Sequence, residues 1–132
     1  MYMTPETLPV AHYFDRVLDA LQTVRLREVG LQETEIHDAL SAALVAAGIP
    51  HRREFTFAPR CRADLWIHGI AVEVKKQKPA RAALLAQIHR YAEQPALGGL
   101  IVVLERSIDV PATIAGKRVA VLSLNALWGI AL

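Results

Sequence analysis

The sequence predicts an α/β protein, a mixed central sheet flanked by helices. Three observations predict it. Apolar side chains recur at helical spacing between residues 10 and 47. The period drops to two between residues 52 and 76, and a further helical stretch then leads into the continuous apolar run Leu100–Leu104.

The elements follow in order. Val10, Phe14, Val17, Leu18, Leu21 and Val24 predict a helix over 10–29, with Gly30 as its stop. Ile36, Leu40, Ala43, Leu44 and Ala47 predict a second over 33–47, closed by Gly48 ahead of a Gly48-Ile49-Pro50 turn. Phe55 and Phe57 alternate with polar neighbours, predicting a strand over 52–58 that Ala58-Pro59 breaks. Residues 62–67 and 70–76 read as two strands joined by His68-Gly69, a hairpin connection in which Gly supplies positive φ. Pro79 opens a helix running to about Glu93, with Leu84, Leu85, Ile88, Tyr91 and Ala92 on one side. Strands are predicted at 100–104 and 118–122, with a loop around 106–116 between them. The tail SLNALWGIAL is too short to assign; its Trp128 fits either the core or a subunit contact.

The chain of 132 residues suits a single domain. Residues 1–30 read as an N-terminal helical extension, 33–104 as the core, and 105–132 as a C-terminal strand and tail. With 53% apolar and 21% charged residues the chain is not a disordered segment. Its single cysteine, Cys61, excludes an internal disulfide framework and a multi-cysteine zinc site. No apolar run approaches the ~18 residues of a membrane span, and MYMTPETLPV lacks the basic start and apolar stretch of a signal peptide. The expectation is a soluble, cytoplasmic protein.

The formal charge of +2 is unevenly spread. Residues 51–90 hold nine Lys/Arg and three acids, a net of +6, against a net of −4 elsewhere. A basic middle in a nearly neutral chain points to an anionic partner, nucleic acid first.

The hairpin carries the chemistry. A two-residue loop pairs Ile67 with Ile70 and Leu65 with Val72, and by extension Asp64 with Glu73 and Arg62 with Lys75. Alternation puts the two acids on the face opposite Leu65 and Val72. Like charges directly opposite on a sheet destabilise it, and a divalent cation is the simplest third party. Mg²⁺ takes one or two carboxylates, with water and phosphate oxygens completing its shell. It polarises a phosphoryl oxygen and activates a bound water, while Lys75 beside it stabilises charge on the phosphate. The apolar flanks (Ala63, Leu65, Ile70, Ala71, Val72, Val74) argue against a merely solvated hairpin.

Asp64, eight intervening residues, then Glu73-Val74-Lys75 resembles the core motif of the PD-(D/E)xK nuclease superfamily, which includes restriction endonucleases and junction resolvases. The predicted order also resembles that fold's αβββαβ core, here with an extra N-terminal helix. Ala63 stands where many members have Pro. The resemblance covers residues 33–104. It implies a restriction-endonuclease-like fold and Mg²⁺-dependent hydrolysis of phosphodiesters, with Mn²⁺ as a substitute. Asp64 and Glu73 are then metal ligands, the Val74 carbonyl an additional one, and Lys75 the catalytic lysine. Many members add a helix acid. Glu33 shares a stripe with Ile36, Leu40 and Leu44 and is preferred for that role; Glu35, rotated ~160–200° from it, is the alternative. Acids in a first helical turn also suit the helix dipole without any catalytic role.

Gln87 and Tyr91, four apart on one helix face, resemble a Q-x3-Y motif of the recombination-nuclease branch, which lies near the active site. Arg60, Arg62, Lys76, Lys78, Arg81 and Arg90 surround the motif and, with Tyr91, are candidate nucleic-acid contacts. His37, His68 and His89 share no metal-ligand spacing; His37 reads as a polar helix position and His68 as a turn residue. The compact layout resembles small single-domain phage and prophage members. With no separate DNA-reading domain in view, structure-selective or weakly sequence-specific cutting is expected, with DNA ahead of RNA as substrate. A homodimer is compatible with this reading. The alternative is a catalytically idle nuclease-like scaffold that binds nucleic acid or a partner protein.

Overall fold

The computed structural model describes residues 10–26, 32–76 and 79–124. Gly30, Lys78 and Trp128, each singled out above, lie outside them. The elements are α1 (Val10–Gln22), α2 (Glu33–Ala46), β1 (Arg52–Ala58), β2 (Cys61–Ile67), β3 (Ile70–Lys75), α3 (Arg81–Ala92), β4 (Gly99–Leu104), β5 (Thr113–Ile114) and β6 (Lys117–Ser123). Six strands form one mixed sheet in the order β1-β2-β3-β4-β6-β5. β3, β4 and β6 run parallel, and the pairs β1–β2, β2–β3 and β5–β6 are antiparallel.

Helices cover both faces. α1 and α2 pack Phe14, Val17, Leu21, Ile36, Leu40 and Leu44 against Leu65, Ile70, Val72, Val74, Ile101 and Val103. On the other face α3 packs Leu84, Ile88 and Tyr91 against Ala71, Leu100, Val102 and Leu104. β4 is buried along its whole length, as its unbroken apolar run requires. Among the described residues no helix is long and apolar enough to cross a membrane.

Several boundaries differ from expectation. α1 stops at Gln22 rather than near 29. The Thr23 hydroxyl donates to the Ala20 carbonyl at 2.6 Å, and Val24 N–H closes a tight last turn on the Leu21 carbonyl. Val24 and Leu26 are still buried, so their apolar signal marks core contact and not helix. α2 ends as expected: Gly48, at φ 71°, lets Ile49 N–H reach the Leu44 carbonyl at 2.9 Å. Pro79 lies two residues before the first helical residue of α3, Arg81. The loop around 106–116 contains β5, turned back onto β6 by Ala115 and Gly116, both at positive φ.

Gly99 begins β4 where β-carbon space is missing. A Cβ there would stand 2.6 Å and 2.8 Å from two ring carbons of Phe14. That ring is fully buried, and the Arg118 guanidinium stacks 4.6 Å from its centroid. Gly99→Ala is therefore expected to cost about 1–3 kcal/mol through overpacking. A lower urea midpoint with an unchanged slope is the expected readout; an unaltered midpoint would contradict this packing.

Candidate active site

The β2–β3 hairpin forms as predicted at its turn and departs from prediction at the acids. His68 and Gly69 both take positive φ, and the ladder runs Ile67–Ile70, Trp66–Ala71, Leu65–Val72. It ends there. The expected cross-strand pairs Asp64–Glu73 and Arg62–Lys75 are not formed. Instead Asp64 Oδ2 accepts the Val74 N–H at 2.7 Å, so a side chain replaces the backbone partner where the strands part. β1 has its own irregularity opposite. It keeps one register from Arg52–Trp66 to Thr56–Arg62, with Glu54 at φ 53°, and shifts only between Thr56 and Ala58. Strict alternation along β2 also fails. Leu65 and Ile67 face α1 and α2, whereas Cys61 and Ala63 join the α3 core. The apolar side chains of the first half of β2 thus join the α3 side, and with no Asp64–Glu73 ladder pair the two carboxylates are not set directly opposite one another.

Glu73 is buried, 6% exposed, on the α3 face. Tyr91 Oη lies 3.3 Å from its Oε1, Gln87 Nε2 lies 3.5 Å from its Oε2, and Lys75 Nζ lies 3.8 Å from Oε2. Burial, followed by the charge of Asp64, raises the Glu73 pKa to about 7; Lys75 and the Tyr91 hydroxyl pull the other way. Tyr91 is pushed up to about 12, first by burial and then by the Glu73 charge. Gln87 also donates to Tyr91 Oη at 3.3 Å, and that hydroxyl lies 2.6 Å from the Arg62 carbonyl. Gln87 and Tyr91 therefore hold Glu73 in place. Tyr91 is 3% exposed with its hydroxyl engaged inside, so the expected nucleic-acid contact is corrected to a core side chain that meets Glu73.

α2 supplies two further groups from adjacent turns of one face. Glu33 Oε1 accepts the Lys76 N–H at 3.2 Å, which ties the helix start to the end of β3. Glu35 instead accepts the Gln32 N–H at 3.0 Å and caps its own helix. His37, four residues after Glu33, is buried, with Nε2 3.5 Å from Asp64 Oδ2 and no hydrogen-bond partner. Its reading as a plain polar helix position is thereby corrected. The available signal was its i+4 relation to Glu33.

The donor chemistry here suits a hard divalent cation. Two carboxylates, Asp64 and Glu73, act on one another electrostatically and offer the oxygen donors such an ion takes, while His37 Nε2 lies 3.5 Å from Asp64 as a neighbour of that oxygen set. Among the described residues no three or more His, Cys, Asp or Glu side chains form a preassembled metal group. A Mg²⁺ that keeps several waters needs no such cage.

The basic residues do not form one cluster. Arg90 Nε donates to the Arg60 carbonyl at 3.3 Å, and Arg62 follows on β2, so these three lie together at the start of β2. Arg62 also pairs with Glu54 at 2.9 Å across exposed surface. Arg81 stands nine residues away on α3, about 13.5 Å along the axis, and donates to the Asp109 carbonyl at 3.2 Å. Lys76 directly follows β3 beside Glu33. Comparisons with family models, with curated proteins and with solved structures find no match to this chain.

Proposed function

We propose that this protein is a divalent-cation-dependent nuclease of the PD-(D/E)xK type with a restriction-endonuclease-like core, hydrolysing phosphodiester bonds in DNA. One observation carries the reading: Asp64, buried Glu73 and Lys75 converge where β2 and β3 part, with Gln87 and Tyr91 braced against Glu73. A purely structural hairpin gains nothing from an acid whose ionisation burial opposes.

Asp64 and Glu73 would hold the cation, with the Val74 carbonyl and Glu33 at its margins. When bound, Mg²⁺ or Mn²⁺ supplies Lewis acidity toward a phosphoryl oxygen and a nucleophilic water at neutral pH. Lys75 Nζ, beside Glu73, stabilises charge developing on the phosphate. Gln87 and Tyr91 fix the Glu73 carboxylate, and Asp64 is fixed by the Val74 N–H. Arg60, Arg62 and Arg90 neutralise backbone phosphates without reading sequence.

The test is incubation with linear, circular, single-stranded and four-way-junction DNA in Mg²⁺, Mn²⁺ or EDTA. Metal-dependent cleavage of at least one substrate is expected. Intact DNA of every form in both metals would overturn DNA cleavage and favour a non-catalytic scaffold.

A further inference from the structure

We propose that a second site, a cleft where β1 begins and β2 runs into its turn to β3, receives an unpaired base of the strand that enters the Asp64–Glu73 site. The proposal rests on the nuclease reading for the course of that strand. The cleft encloses about 520 Å³ and is lined by Tyr13, His51, Arg52, Phe55, Trp66 and His68 among others. Sites for small ligands span roughly 300–1,000 Å³. Five of these six side chains are planar rings and the sixth is a guanidinium; no carboxylate lines the cleft. That is the chemistry of a stacking platform for bases on an anionic backbone.

The rings are already ordered. Trp66 stacks on Phe57 at 4.8 Å with 19° between planes, and packs against Phe55 at 5.3 Å. The Arg52 guanidinium lies 5.3 Å over the Phe55 ring. His51 is held by Ser41 at 2.6 Å and by the Ile49 carbonyl at 3.1 Å; a carbonyl only accepts, so Nδ1 donates and the ring orientation is set. Phe55, Phe57 and Trp66 are all only half-buried, although together they would make a sound core. A surface that keeps three aromatic rings partly open beside cations has stacking capacity to spare.

The same rings connect the cleft to the acids. Phe57 meets Tyr91 edge-on at 5.1 Å, and the Tyr91 hydroxyl reaches Glu73. Trp66 stands two residues from Asp64, about 6–7 Å along β2, or about two stacked nucleotides at ~3.4 Å each. Charge favours the same occupant. Arg52 has no acidic partner among the described residues, whereas its neighbour Arg53 pairs with the exposed Asp38. A duplex keeps its bases stacked on one another, so only single strands, flaps and frayed ends offer a base to this cleft.

The test is binding in EDTA, where nothing is cut, at about 100 mM salt. Fluorescence anisotropy compares labelled (dT)12 with a blunt 12-base-pair duplex. Expected are preference for the single strand and a roughly 5- to 100-fold loss in Trp66→Leu. Phe55→Leu repeats the measurement should the first variant fail to fold. A (dT)12 series with one abasic position, moved stepwise, needs no altered protein and should show one or two sensitive positions. Equal affinity for both DNAs, with no sensitive position, would overturn the proposal even if Mg²⁺ supports cleavage. Single-strand preference with a sensitive position, but no cleavage in Mg²⁺, would sustain the cleft and overturn the nuclease reading.

Discussion

Lys75→Ala is expected to lower the rate of metal-dependent cleavage by about 10²–10³-fold, the loss typical of one donor aimed at developing charge. Lys75 is half-buried and makes its contact with Glu73 at 3.8 Å, so the fold does not depend on it. Two further results should accompany the loss. Thermal stability should move little, and binding of uncleaved DNA in EDTA should weaken by less than tenfold, because one phosphate contact among several is lost. Single-turnover kinetics at saturating enzyme separates these effects. A variant that cuts at the wild-type rate would remove Lys75 from the reaction.

Glu73→Gln should make the metal-free protein more stable at pH 8, by about 3 kcal/mol. The folded protein raises this acid from 4.5 to about 7, chiefly by burial. Between those values the unfolded chain releases its proton while the folded chain retains it. Wild-type stability therefore falls as pH climbs from 4.5 through 7, and the whole contribution is gone above that. At about 1.36 kcal/mol per pH unit the separation corresponds to the ~3 kcal/mol stated. Wild type and variant should converge near pH 4.5, where both carry a neutral side chain. Adding Mg²⁺ at pH 8 should stabilise the wild type and leave the variant nearly unchanged, since a cation bound only by the folded state shifts the equilibrium by mass action. Denaturant melts in EDTA across pH 4.5–8 read this directly. Parallel curves for the two proteins would contradict the buried, ionisation-opposed state of Glu73.

The hairpin shows where sequence reasoning ends. Loop length and alternation settle the register from Ile67–Ile70 to Leu65–Val72, because those residues are apolar and need a core face. They do not foretell that the ladder stops at the acids. There a side-chain carboxylate takes the Val74 N–H, a tertiary contact with no local signature. Glu33 was legible from its stripe, since three apolar residues behind it point the helix at the sheet. His37 was not, because its partner is distant in sequence and its burial depends on how α2 packs. The positively charged block was visible as composition only. Its division into the Arg60–Arg62–Arg90 group and a remote Arg81 follows from the length of α3.

The most direct test of the central claim is titration of the protein with Mn²⁺, without nucleic acid, followed by electron paramagnetic resonance of the free ion at pH 8. Saturable binding is predicted, weakened at least tenfold in both Asp64→Asn and Glu73→Gln. The result needs no choice of substrate. Absence of saturable binding, or binding that both variants retain, would contradict a cation held between Asp64 and Glu73.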